Sequence, residues 1–203
     1  MKYVIGNWKM NGDKALLSEF IPLAANAMLC VPFHLIGETL GAQDCSTEDC
    51  GARTGEISAR MIREAGAKYC LVGHSERRRN HNETDELVHA KAMRCLEAGV
   101  MPIICIENPA EVLKSVPKTD GKIIVAFEPV GSIGTGNAMT ADEIRRTHEK
   151  IAEIIPGTDI LYGGSVAPAN AREILAIDNV AGVLVGGASL DPKKFKEIVD
   201  VGK

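Results

Sequence analysis

Short apolar runs recur along the chain at Tyr3–Asn7, Met28–Val31, Thr39–Gln43, Tyr69–Val72, Met101–Cys105, Ile123–Phe127, Ile160–Tyr162 and Gly182–Val185. None alternates cleanly with polar residues, which is the pattern of parallel strands covered on both faces. Helical patterns lie between several of them, over Ser58–Ala65, Thr84–Ala98, Ala141–Ile155 and Pro168–Ala176. The punctuation agrees. Gly66 and Gly99 follow helical segments, and Thr140 with Glu143 makes a capping box. Strands alternating with helices imply right-handed parallel crossovers. Eight such strands suggest a closed (β/α)₈ barrel forming one domain over residues 1–203, with an open doubly wound sheet as the competing arrangement.

The spacing is uneven. Only Pro32–Glu38 separates the second and third runs, too little for a crossover helix. Glu107–Lys122 contains Pro109 and Pro117 and has room for one short helix. A barrel with reduced or missing outer helices is therefore expected, especially between strands 2 and 3 and between strands 5 and 6. The loss is survivable because a missing helix removes hydrophobic cover but also the entropy cost of ordering its residues.

With 45% hydrophobic and 25% charged residues, the 203-residue chain has ordinary globular composition. Its net charge is -4 and its one basic run is Arg77–Arg79, so nucleic acid is not an expected partner. Any anionic ligand must then be held by local devices. The six cysteines show no CxxC pair and no zinc-like spacing with histidine, and Cys30, Cys70 and Cys105 lie in apolar runs as small hydrophobes. The chain opens directly on a strand without a leader and has no long apolar span, so a cytoplasmic protein without a membrane partner is expected.

In a barrel, the loops after the strands form one functional face. Here they carry Asn7 and Lys9 after the first strand, His74 and Glu76 after the fourth, and Glu128 after the sixth. Glycine-rich strings follow at Gly131–Gly136, Gly163–Ser165 and Gly186–Ser189. Any one string could simply be a turn, but three at matching strand ends make a nest of amides sized for phosphate. The Gly131–Gly136 string lacks the dinucleotide spacing, and no Walker motif occurs. Glu128 ends an apolar strand, where partial desolvation suits a carboxylate to abstract a proton. His74 stands where helix N-terminal amides favour a neutral, donating imidazole. Each residue alone has an ordinary reading: Glu128 as an ion-pair partner, His74 as structural, Lys9 as solvated. Together with a phosphate nest they suit proton abstraction beside a carbonyl, with Lys9 and His74 stabilising the enolate. No metal or cofactor is expected.

Five strings together resemble the triosephosphate isomerase family over nearly the whole chain: Gly6–Gly12, Val72–Arg78, Ala126–Val130 with Ile133–Gly136, Tyr162–Val166 and Leu184–Leu190. The resemblance implies a TIM barrel that interconverts dihydroxyacetone phosphate and D-glyceraldehyde 3-phosphate, in glycolysis and gluconeogenesis. It assigns Glu128 as the base, His74 as the neutral electrophile and Lys9 as the cation. Asn7 would line the substrate site, Glu76 would support Lys9 and His74, and Gly134, Ser165, Gly186 and Gly187 would offer phosphate-binding amides. It also implies a homodimer through the Gln43–Glu56 loop, with Thr54 approaching the other subunit's Asn7 and Lys9.

The pattern breaks at one place. The family's Tyr before the catalytic Glu is Phe127, its Trp three residues after is Gly131, and the glycine after Cys105-Ile106 is replaced by Glu107. In the family these groups latch the lid, so closure is expected to be less favourable here. An idle barrel kept for binding, and a Schiff-base aldolase using Lys9, are the competing functions.

Overall fold

The computed structural model describes residues 1–37, 40–119, 122–129, 131 and 138–203. Its strands are β1 (Tyr3–Asn7), β2 (Ala27–Cys30), β3 (Gly41–Ala42), β4 (Tyr69–Val72), β5 (Met101–Ile106), β6 (Ile124–Phe127), β7 (Asp159–Tyr162) and β8 (Gly182–Val185). Each pairs in parallel with the next, and β8 pairs with β1 in the register Tyr3↔Gly182, so the sheet closes into a barrel and not a doubly wound sheet. β3 is shorter than the run Thr39–Gln43 suggests, and Thr39 lies outside the described residues.

The helices are α1 (Lys14–Ser18), α2 (Ala59–Glu64), α3 (Ser75–His81), α4 (Asp85–Glu97), α5 (Val112–Ser115), α6 (Ala141–Ile154), α7 (Pro168–Leu175) and α8 (Pro192–Val201). Thr140 and Glu143 form the reciprocal capping box at the start of α6. Gly66 and Gly99 have φ of 98° and 72°, the left-handed turn that ends α2 and α4. Between β2 and β3 the described residues form a 3₁₀ turn at Phe33–Leu35, and between β5 and β6 a 3₁₀ turn at Pro109–Glu111 runs into the four-residue α5. α1 is also short, with five residues and none buried.

The absence of polar alternation in the strands has a direct cause. One set of side chains, including Ile5, Met28, Leu71, Ile103, Ala126 and Leu161, fills the barrel interior. The intervening set, including Val4, Leu29, Val72, Ile104 and Val125, packs outward against Ile62, Val88, Ile144, Ile174 and Ile198 of the helices. Both faces are therefore apolar, and the polar groups collect at the strand ends.

Candidate active site

Lys9 follows β1 with φ of 53°, a left-handed conformation that a lysine adopts only when held there. Its N–H donates to Asn7 Oδ1 at 2.9 Å, and its carbonyl accepts from Gln43 Nε2 at 2.9 Å. Its ammonium reaches Glu76 Oε1 at 2.7 Å. Burial alone would raise the Glu76 carboxyl, but the hydrogen bond and charge of Lys9 hold it below the usual carboxylate range. The ion pair engages the Lys9 nitrogen that a Schiff base would need free.

His74 caps α3: its Nδ1 accepts the Glu76 backbone N–H at 3.2 Å. An imidazolium has no nitrogen free to accept, so this bond selects the neutral ring with its proton on Nε2. Nε2 faces Glu128 Oε1 at 3.0 Å. The other Glu128 oxygen accepts from the Ser75 N–H at 3.1 Å. Glu128 is only 2% exposed, so both carboxylate oxygens are held by donors at the start of α3. Gly163 permits this placement, because a Cβ there would lie 2.9 Å from Glu128 Cγ.

These groups open into a cavity of about 390 Å³ lined by Asn7, Lys9, His74 and Glu128 on one side. Gly163, Gly164, Ser165, Gly186, Gly187 and Ala188 line it on the other. Asn170 ties the first of these loops down, donating to the Ser165 carbonyl at 3.0 Å and accepting the Ala167 N–H at 2.8 Å. The second loop is fixed to β1 through Trp8, whose Nε1 donates to the Ser189 carbonyl at 2.8 Å, while Ser189 Oγ donates to the Gly186 carbonyl at 2.7 Å. The Tyr162 hydroxyl accepts the Met139 N–H at 3.0 Å and so anchors the segment leading into α6.

Asn7, Lys9, His74, Glu128, Ser165, Gly186 and Gly187 thus share one cavity, with Glu76 directly behind Lys9 and His74. Gly134 lies outside the described residues. Thr54 is exposed on its loop and does not line the cavity within one chain. Sequence reasoning missed Lys194, which also lines the cavity and whose ammonium lies 3.7 Å from Asp191 Oδ2. A basic residue one turn into the helix after the Gly186–Ser189 string was its available signal.

The fold and the cavity define a (β/α)₈-barrel enzyme of the isomerase class, with a carboxylate, an imidazole and an ammonium set opposite the glycine-rich loops that follow β7 and β8. The model of the triosephosphate isomerase family matches residues 2–202, and the chain belongs to that family. The triosephosphate isomerase of Xanthobacter flavus is 40% identical over 236 residues, covering 96% of this chain and 95% of that protein. That of Hyphomonas neptunium is 39% identical over 238 residues, covering 96% of each. The crystal structure of triosephosphate isomerase from Bartonella henselae superposes with a TM-score of 0.86 at 36% identity, covering 98% of each chain. Alignments of 236 and 238 positions exceed the 203 residues available, so this chain spans the relatives' length with internal segments missing.

Proposed function

We propose that the chain interconverts dihydroxyacetone phosphate and D-glyceraldehyde 3-phosphate through an enediolate, within glycolysis and gluconeogenesis. Glu128 takes a proton from one carbon and returns it to its neighbour. The His74 Nε2–H and the Lys9 ammonium stabilise the oxygen on which negative charge develops, and Asn7 borders the same oxygen. The phosphate sits against the amides near Ser165, Gly186 and Gly187. Glu128 must exchange its Ser75 and His74 donors for the substrate, so the described arrangement is a resting one.

The observation that carries this reading is the orientation of His74. Its acceptor nitrogen is occupied by the protein, and its donor nitrogen points to where Glu128 and the cavity meet. A coupled assay of glyceraldehyde 3-phosphate isomerisation tests it. Wild type is expected to turn over, a phosphoglycolate-type mimic to inhibit, and Glu128→Gln to lose about a thousandfold in kcat. An inactive wild type would favour the idle barrel.

The reading extends to a single-domain barrel over residues 1–203 that works in the cytoplasm as a homodimer. The exposed tip of the Gln43–Glu56 loop would bring Thr54 beside the partner subunit's active site, and the free thiols accord with a reducing compartment. Sedimentation of wild type against Thr54→Arg tests the dimer, with dissociation and loss of activity expected in the variant.

A further inference from the structure

Away from the active-site cavity, the fold gathers three thiols that are far apart in the chain. Cys45 follows β3, Cys70 lies on β4 and Cys95 on α4, all in the layer between barrel and helices. Their sulfur atoms lie within 4.8 Å of one another, with Cys45 and Cys95 3.5 Å apart. All three are buried and none is in a disulfide.

We propose that Cys45, Cys70 and Cys95 form a three-thiolate binding site for a trivalent thiophilic metalloid of the arsenite class.

The number of donors is the first reason. Among the described residues the cluster offers three ligand atoms and no fourth, whereas structural zinc calls for four. Complete burial also leaves little room for a water to complete a tetrahedron. Geometry is the second reason. With metal–sulfur bonds of about 2.3 Å, a 3.5 Å sulfur–sulfur separation corresponds to an angle of about 100° at the ion. That one angle matches a pyramidal centre carrying a lone pair, and the Cys70 sulfur lies within 4.8 Å of the other two.

Charge is the third reason. The neighbouring ionised groups already balance: Lys91 pairs with Asp44 at 2.7 Å and with Glu83, and Arg77 pairs with Asp44 at 2.8 Å and with Glu83. Three thiolates around a monovalent or divalent ion would leave net negative charge buried with nothing to offset it. A trivalent centre leaves none. Arsenous acid exchanges its three hydroxyls for three thiols; three S–H and three As–O bonds break, three As–S bonds form, and three waters leave. No electron changes hands.

The test incubates the whole protein with arsenite in a phosphine reductant, which does not compete as a dithiol would. Incubation runs for hours, because buried thiols load through local opening. Electrospray mass spectrometry under native conditions is expected to show one arsenic gained and three hydrogens lost per chain. Cys50→Ser, which removes the exposed thiol, should bind unchanged. Cys95→Ala should raise the arsenite concentration for half-saturation at least about a hundredfold, through loss of one intramolecular ligand. Far-UV circular dichroism checks its folding; should it not fold, Cys45→Ser carries the same expectation. Absence of an adduct, an adduct that retains a hydroxyl and loses only two hydrogens, full binding in a folded Cys95→Ala or Cys45→Ser, or loss of binding in Cys50→Ser would each overturn the proposal.

Discussion

His74 Nε2 lies 3.0 Å from Glu128 Oε1, while the other nitrogen of the same ring accepts the Glu76 N–H at 3.2 Å. The two contacts fix both the tautomer and the direction of the ring before any substrate arrives. A donor pre-oriented in this way costs no reorganisation when charge develops on a substrate oxygen. In the proposed mechanism the atom that holds Glu128 is the one offered to substrate, which would couple release of Glu128 to occupation of the cavity.

That placement depends on Gly163. A Cβ there would lie 2.9 Å from Glu128 Cγ and 3.2 Å from the Phe127 carbonyl, and the carbonyl cannot move without disturbing β6. Gly163→Ala should keep the fold by circular dichroism and displace the carboxylate. kcat is expected to fall about ten- to a hundredfold, because small misplacements of a reacting group are costly. A variant with wild-type kcat would contradict the close-packing argument.

The Tyr162 hydroxyl accepts the Met139 N–H at 3.0 Å, just before α6. Tyr162→Phe removes this neutral hydrogen bond to the Met139 N–H, worth about 1 kcal/mol. The phosphoglycolate-type mimic should therefore bind about fivefold more weakly, which titration calorimetry would read directly. Unchanged affinity would mean that this anchor does not matter for closure.

His148 is buried beneath Phe127, whose ring meets it edge-on at 6.1 Å. Its Nδ1 lies 3.2 Å from the Asn179 carbonyl, and Nε2 has no partner among the described residues. Burial pushes the imidazole down to about 4 from an ordinary value of 6.5. Between those values the unfolded chain binds a proton that the folded chain refuses, so stability falls as pH drops from 6.5 and levels off below about 4. The loss from this group is about 3 kcal/mol. Urea unfolding of wild type and His148→Gln across that range should give a shallower slope in the variant; parallel curves would exclude the histidine as the cause.

Phe127 carries no hydroxyl and Gly131, with φ of 86°, carries no side chain, so the two ring groups of the family's lid latch are absent. Premature opening would let the enediolate expel phosphate by cleavage of its C–O bond, leaving an enol that tautomerises to a dicarbonyl. Wild type should therefore release inorganic phosphate during turnover. The double variant Phe127→Tyr with Gly131→Trp should lower that release a few-fold per isomerisation, about 1 kcal/mol on closure. Equal phosphate release in both would show that the latch is not what limits closure.

The sequence determined the barrel and named most of the polar residues that line its cavity. Runs apolar at every position announced strands buried on both faces, and polar residues appear where those strands stop, so Lys9, His74 and Glu128 could be assigned to one mouth. The polar α3 and the short α1 escaped pattern reading: α1 buries nothing, and α3 buries only Ser75. Tertiary structure alone decided the rest. The His74 tautomer follows from an amide that only the turn into α3 presents, and Lys194 enters the cavity because α8 packs against α7 and β1. Cys45, Cys70 and Cys95, which look scattered at equal intervals, converge because a loop, a strand and a helix pack on one another. Periodicity records which face of an element is buried, but which buried atoms meet is set by packing between elements distant in the chain.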